Sequence, residues 1–292
     1  MRADVWLINA RQKIDYLDAS LLLRHVLNCS RAALMAHPET ELTEAQLACL
    51  DRLLTRRATG EPLAYLTESA WFYGRNFRVT PAVLTPRPET EELAERALRW
   101  LAEANFPAPR VLDLGTGSGV LAVTIALECP AARVTAVDCA PDALDCARAN
   151  AEFWRVSARF LLSDWFSGLA GERFHLVVAN PPYLAAHDPH LFGDGVRYEP
   201  RGALVGGEDG LEDVRRILRF LPGYLEPGGF FLCEHGYEQG AAVRALLIAS
   251  GFEQVQTWRD LSGQERMSGG VFKKQRCCAR EFCPVKSSFV VF

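Results

Sequence analysis

The sequence predicts an α/β protein: a mostly parallel sheet covered by helices on both faces, preceded by a small all-helical domain. Three observations carry this. From Arg110 onward, short apolar runs alternate with longer helical ones, and β and α units in series imply a parallel sheet buried on both faces. Up to about residue 70, apolar residues instead recur at helical spacing. Between these regions, residues 70–85 (AWFYGRNFRVTPAVLT) set aromatic and β-branched residues on both sides of Gly74, Arg75 and Asn76, the pattern of a β-hairpin.

Taken in order, residues 19–27 (ASLLLRHVL) and 42–54 (LTEAQLACLDRLL) read as helices. Thr43 can N-cap the second, with Gln46 as its capping-box partner. Gly60, Glu61 and Pro62 break the pattern. After the hairpin, Pro86 and Pro88 followed by Glu89, Glu91 and Glu92 suit a helix start, where proline costs little and acids favour the positive dipole end. VLDLG, RVTAVD, ARFLLSD, FHLVVANPP and GGFFLCEHG then read as strands. GVLAVTIALE, APDALDCARANAEFW, LEDVRRILRFLPGYL and EQGAAVRALLIASG read as helices, the last ended by Gly251. The expected division is 1–70 helical, 71–85 hairpin linker, 86–273 α/β domain and 274–292 a C-terminal tail of no assigned role.

Composition narrows the function classes. The 292 residues are 49% hydrophobic, enough to bury a sizeable core. A pI of about 5.9 and a net charge of -4 argue against affinity drawn mainly from phosphate contacts. The segment from Met1 to Arg75 carries nine Lys/Arg and nine Asp/Glu, so it is neutral. The nine cysteines are scattered, without a CxxC pair or a Cys/His set of zinc-ligand spacing; buried thiols in a reducing compartment are the reading, with no metal site. The start, MRADVWLINARQKID, has no signal-peptide core. No apolar run reaches the ~18 residues of a membrane helix. A cytoplasmic protein is expected.

Two loops carry the chemistry. The strand VLDLG runs into Gly115, Thr116, Gly117, Ser118 and Gly119 and then a helix. Glycines there let a ligand approach the backbone at a helix N-terminus. A dinucleotide fingerprint would put its third small residue at Val120, so the match to NAD is imperfect. Asp138 ends the next strand, where a carboxylate can accept from ribose hydroxyls; it can equally cap the helix that follows. After the third strand, Asp164 can accept from an adenine amino group and Trp165 can lie on the ring, or pack in the core. The second loop is Asn180-Pro181-Pro182-Tyr183, at the end of an apolar strand. Its prolines cannot continue a ladder. Asn180 offers a side-chain oxygen, Pro181 a carbonyl and Tyr183 a ring face, which together match a flat NH2 group. Such a nitrogen is a poor nucleophile, and gripping both N–H groups can align its lone pair for transfer. His187 and His190 follow the motif and read as loop residues.

Together these residues resemble the bacterial peptide-chain release factor glutamine methyltransferases, over nearly the whole chain to about Lys273. DLGTGSG, AVD, SDWF and NPPY occur in family order, with LTPRPETEEL before the first strand, YEPRGALVGGEDGL after the acceptor loop, and EHGYEQG. NPPY alone is shared with adenine methyltransferases; its combination with PRPETE and YEPRGAL is specific. The resemblance implies a Rossmann-like domain using S-adenosyl-L-methionine, behind a helical domain that engages the release factor. It implies methylation of the Gly-Gly-Gln glutamine on its side-chain amide nitrogen. Cofactor positions carry over to Gly115, Thr116, Gly117, Ser118, Gly119, Asp138, Trp165 and Asn180. Substrate positions carry over to Asn180, Pro181, Pro182 and Tyr183, with Asn180, Pro181 and Tyr183 at the reacting nitrogen. Family members end near Lys273, whereas here KKQRCCAREFCPVKSSFVVF continues.

Other readings remain at this point. A nucleic-acid adenine methyltransferase would need a positive groove and a base extruded from its stack, against which the acidic pI counts. A relative acting on a ribosomal-protein glutamine shares the chemistry. A non-catalytic cofactor-binding protein would not need both loops intact, and an NAD-dependent oxidoreductase would prefer NAD. The expected partners are release factors, with neither membrane nor nucleic acid.

Overall fold

The computed structural model describes residues 1–169 and 171–273; the tail beyond Lys273 lies outside the described residues. Five helices come first: α1 (Ala3–Ala10), α2 (Tyr16–Leu27), α3 (Arg31–Ala36), α4 (Glu44–Ala58) and α5 (Leu63–Thr67). Their starts follow side-chain chemistry. Asp15 accepts the Leu17 N–H at 2.7 Å ahead of α2, and Thr43 and Gln46 close the expected capping box ahead of α4. Trp6, Leu22, Leu23, Leu50, Leu53 and Leu66 pack into a core of their own.

The hairpin pairs β1 (Ser69–Phe72) with β2 (Arg75–Arg78). Tyr73 and Gly74 form its turn, both at positive φ, the geometry whose twist matches paired strands. Phe72 and Phe77 are buried in the core of the large sheet.

The remaining elements are α6 (Pro88–Ala104), β3 (Arg110–Leu114), α7 (Val120–Glu128), β4 (Arg133–Asp138), α8 (Pro141–Phe153), β5 (Ala158–Leu162), β6 (Phe174–Ala179), α9 (Glu212–Phe220), β7 (Leu225–Glu234), α10 (Gly240–Ala249), β8 (Phe252–Arg259) and β9 (Glu265–Phe272). They build a seven-stranded sheet in the order β5-β4-β3-β6-β7-β9-β8. All neighbours are parallel except β9, which runs antiparallel to β7 and β8. Alternate residues serve opposite faces. Val111, Leu176, Val178 and Leu232 join one core beneath α6 and α7. Leu112, Val177, Ala179 and Phe231 join the other, beneath α9 and α10. Burial on both faces is why these strands read as continuous apolar runs.

The β8–β9 pair is absent from the sequence reading. β8 is largely exposed and its burial alternates weakly, so its strand character comes from pairing with β9 rather than from a local pattern. Among the described residues, no helix is long and apolar enough to cross a membrane.

Candidate active site

The strand order reverses at β3. The chain leaves β3 toward β4 and β5, then returns to place β6 on the other side. Leu114 pairs with both Val137 and Ala179, so Gly115, Asp138 and Asn180 are the next residues on three adjacent strands. Strand spacing puts neighbouring backbones ~4.8 Å apart. The glycine loop therefore lies between Asp138 and Asn180, at the crevice where open α/β sheets bind ligands.

The glycine loop is anchored to β4 by the N–H groups of Gly115 and Thr116, both donating to the Val137 carbonyl at 2.9 Å. Thr116 and Ser118 are buried. The Thr116 hydroxyl donates to Oδ2 of Asp113 at 2.6 Å. Oδ1 of this fully buried carboxylate has no partner, and burial pushes its pKa up to about 7. At Gly119 a Cβ would stand 3.0 Å from that of Ala147, so only glycine lets α8 pack this close. At Gly117 nothing lies within 4 Å of that position, and this side of the loop is open.

Asp138 accepts the Gly117 N–H through Oδ2 and the Ala140 N–H through Oδ1, both at 2.9 Å. The cap leaves acceptor capacity free, because each oxygen keeps a second lone pair. The Trp165 ring approaches to 3.5 Å from where a Gly115 Cβ would stand, roofing the loop. Asp164 is half-exposed and ion-pairs with Arg216 of α9. Burial raises the pKa of Asp213, opposed by its hydrogen bond to the Trp165 indole. Burial, then the charges of Asp138, Asp164 and Asp213, raises that of the Cys139 thiol.

On the other side, Pro181 is buried while Asn180, Pro182 and Tyr183 are half-buried. The Asn180 Nδ2 group donates to Thr90 Oγ1 at 3.2 Å, and Thr90 donates to Glu234 Oε2 at 2.7 Å. Tyr183 donates to Glu234 Oε1 at 3.4 Å. Glu234 is buried, which pushes its pKa up to about 7; burial and the Glu234 charge raise that of Tyr183. The backbone of the motif is clamped from behind. A Cβ at Gly206 would fall 2.2 Å from the Pro182 carbonyl, and one at Gly210 2.2 Å from that of Tyr183. Gln239 donates to the Tyr183 carbonyl at 3.0 Å. A cavity of about 400 Å³, lined by Tyr183, Arg87, Leu184, Tyr237, Gln239 and Arg266 among others, opens beside the motif. His187 and His190 are exposed; His187 lies in the loop, whereas His190 sits in a short 3-10 turn (Pro189–Phe192), contacts Asp188 at 2.7 Å and lines this cavity.

Thr90, Gly206, Gly210, Glu234 and Gln239 were given no chemistry by the sequence reading. The signal lay in PRPETE, VGGEDGL and EHGYEQG, segments that draw notice through resemblance while their contacts form only in the fold.

Two family models match the chain: PrmC N-terminal domain over residues 7–67 and Methyltransferase small domain over residues 96–192. A release factor glutamine methyltransferase from Bordetella pertussis is 48% identical over 255 residues, covering 87% of this chain and 94% of that protein. One from Burkholderia pseudomallei is 49% identical over 264 residues, covering 88% and 92%. One from Escherichia coli is 45% identical over 254 residues, covering 87% and 91%. The chain belongs to the release factor glutamine methyltransferase family. Among solved structures, a 16S rRNA methyltransferase from T. thermophilus in complex with AdoMet and guanosine aligns with TM-score 0.52 at 23% identity, over 70% of this chain and 50% of that one. A methyltransferase from Pyrococcus furiosus aligns with TM-score 0.52 at 18% identity, over 76% and 98%. These two show the Rossmann-like fold.

In this family member the crevice fits S-adenosyl-L-methionine on its own geometry. The open face of the loop at Gly117 leaves room for a ligand against backbone. Asp138 retains acceptor capacity for hydroxyls, and Trp165 supplies an aromatic roof.

Proposed function

We propose that the chain transfers a methyl group from S-adenosyl-L-methionine to the side-chain amide nitrogen of the glutamine in the Gly-Gly-Gln loop of peptide chain release factors. One observation supports this above the others: the Asn180 motif ends the strand next to the glycine loop, across the switch point of the sheet. Acceptor and donor then meet between adjacent strands.

Gly115 to Gly119, Asp138 and Trp165 would hold the cofactor, whose sulfonium would supply an already activated methyl group. Asn180 Oδ1 and the Pro181 carbonyl accept the two N–H groups of the glutamine amide, and the Tyr183 ring supports its plane, with Pro182 fixing the turn. Held this way, the nitrogen lone pair would be oriented for transfer. Orientation of this kind is worth up to ~7–11 kcal/mol in favourable cases. The nitrogen's proton leaves after transfer, so no strong base is required.

The helical segment, residues 1–70, supplies the remaining contact with the release factor. Its exposed Val5, Ile8, Tyr16, Leu17 and Met35 offer apolar surface for a protein partner. Its nearly balanced charge, eight Lys/Arg against nine Asp/Glu, favours that partner over nucleic acid, and a translation factor as substrate accords with a cytoplasmic location. High identity to release factor glutamine methyltransferases along nearly the whole chain disfavours the adenine and ribosomal-protein readings.

Mass spectrometry of purified release factor, before and after incubation with enzyme and cofactor, tests the proposal. One added methyl group on the Gly-Gly-Gln peptide is the expected result. An unmodified factor, with methylated nucleic acid or ribosomal protein instead, refutes it.

A further inference from the structure

Behind Asn180, the direction of a buried hydrogen-bond chain is set by the chemistry of its members. Glu234 ends β7 at 1% exposure, and in its ionised form it only accepts. Thr90, 3% exposed on the first turn of α6, owns a single hydroxyl proton. That proton goes to Glu234 Oε2, 2.7 Å away, leaving only lone pairs toward Asn180. Of the two ends of the Asn180 amide, only the NH2 group can meet a lone pair, and it does so at 3.2 Å. The oxygen is thereby the end left for the acceptor. A half-turn of the amide would oppose two lone pairs at a buried site, a fault that weighs roughly tenfold or more against it. The second oxygen of Glu234 accepts from Tyr183, so one carboxylate restrains both polar side chains of the motif.

We propose that Glu234, acting through Thr90, is a positioning residue that locks the polarity of the Asn180 amide and so makes the acceptor pocket select an N–H donor. The inference rests on the function proposed above and deepens it. A glutamine side chain has two ends of nearly equal shape, and a glutamate has the same outline with no N–H. Shape alone separates none of these. An acceptor held against rotation does: it binds the NH2 end, repels the carbonyl end and rejects a carboxylate. The methyl group is then directed to nitrogen instead of oxygen, and to glutamine instead of glutamate.

The test compares Thr90→Val, Thr90→Ser and Glu234→Gln with the wild type at about pH 8, above the raised pKa of Glu234. The readouts are methylation of intact release factor, cofactor affinity by calorimetry, and inhibition by Gly-Gly-Gln and Gly-Gly-Glu peptides. Thr90→Val removes the hydroxyl and keeps the outline. It is expected to lower kcat about ten- to a hundredfold, at the lower edge of the loss of an aligned acceptor, with cofactor affinity nearly unchanged. It also narrows the preference for the glutamine over the glutamate peptide. Thr90→Ser restores most of the rate and the full preference. Glu234→Gln falls between, because a neutral amide can meet Thr90 with either end. A folded Thr90→Val enzyme with wild-type kcat and peptide preference overturns the proposal. So does a serine variant no better than valine. Should the valine variant fail to bind cofactor, Glu234→Gln decides: wild-type rate and preference there overturn the relay, and loss of preference supports it. Wild-type enzyme that leaves release factor unmethylated would instead refute the proposed function itself.

Discussion

The Arg87 guanidinium lies 2.6 Å from Oε2 of Glu199, a carboxylate whose side chain is 1% exposed. The Thr85 N–H donates to its other oxygen at 3.2 Å. PRPETE and YEPRGAL, far apart in the chain, are two halves of one clasp. It holds the entry to α6 against the loop behind the acceptor motif. Burial raises the Glu199 pKa and the Arg87 charge opposes it.

Arg87→Ala should therefore strand a buried charge. Breaking a fully buried pair costs ~3–5 kcal/mol; with Arg87 partly exposed, about 2 kcal/mol is expected. Thermal unfolding should shift down by roughly 4–8 °C. Arg87→Ala combined with Glu199→Gln should recover part of that loss. An unchanged Tm for the single variant removes the clasp from the account of stability.

Asp138 and Asn180 should separate binding from transfer. Asp138→Ala is expected to weaken cofactor affinity about ten- to a hundredfold, the worth of hydrogen bonds to a charged acceptor. Asn180→Ala is expected to lower methyl transfer ~10²–10³-fold while calorimetry still shows cofactor binding. A folded Asn180 variant with normal turnover excludes the residue from the reaction. Unchanged affinity in the Asp138 variant reduces that carboxylate to a cap for α8.

Glu234 should make the protein less stable as pH rises. Its pKa stands near 7 in the fold against an ordinary 4.5, so the native chain holds a proton that the unfolded chain releases in between. That contribution is full below about pH 4.5 and is lost as pH climbs through 7. Asp113 acts in the same sense, from 3.8 to about 7. The groups facing Glu234 are Thr90 and Glu89 from α6, Tyr183 from the acceptor loop and Arg266 from β9. Glu234→Gln stays neutral throughout. Its Tm should overtake the wild type's between about pH 5 and 8, even as its turnover falls. A variant less stable than wild type at pH 8 would show that the carboxylate's hydrogen bonds outweigh its desolvation.

Removal of the helices should cost more than docking. The Tyr198 hydroxyl donates to the Thr59 carbonyl at 2.9 Å, and Arg197 reaches the same carbonyl. Tyr65 donates to the Val83 carbonyl at 2.6 Å. A chain beginning just before Trp71 loses these struts under the acceptor loop. It should retain cofactor binding, lose most activity on intact release factor, and lose a smaller share on a short Gly-Gly-Gln peptide. Equal efficiency of the truncated and full-length enzymes on whole factor would leave the helices as support alone.

The alternation of apolar runs, the Thr43–Gln46 capping box and the two prolines after β6 were all legible in the sequence, because each depends on residues within a turn or two of one another. The same holds for the glycine loop and Asp138, whose positions at strand ends follow from local pattern. Pairing decided the rest. Which way the Asn180 amide faces depends on Thr90 and Glu234, 144 positions apart. That Asp164 pairs with Arg216 depends on a helix 52 positions on. β8 and β9 exist as strands because β7 offers an edge for β9 to pair with. The Gly206 and Gly210 positions are closed to a side chain only because the acceptor backbone lies against them. Local chemistry determined the elements and their chemical types; directions of hydrogen bonds, and the close approaches that fix them, arose only when distant segments were buried together and each polar group had to find its partner.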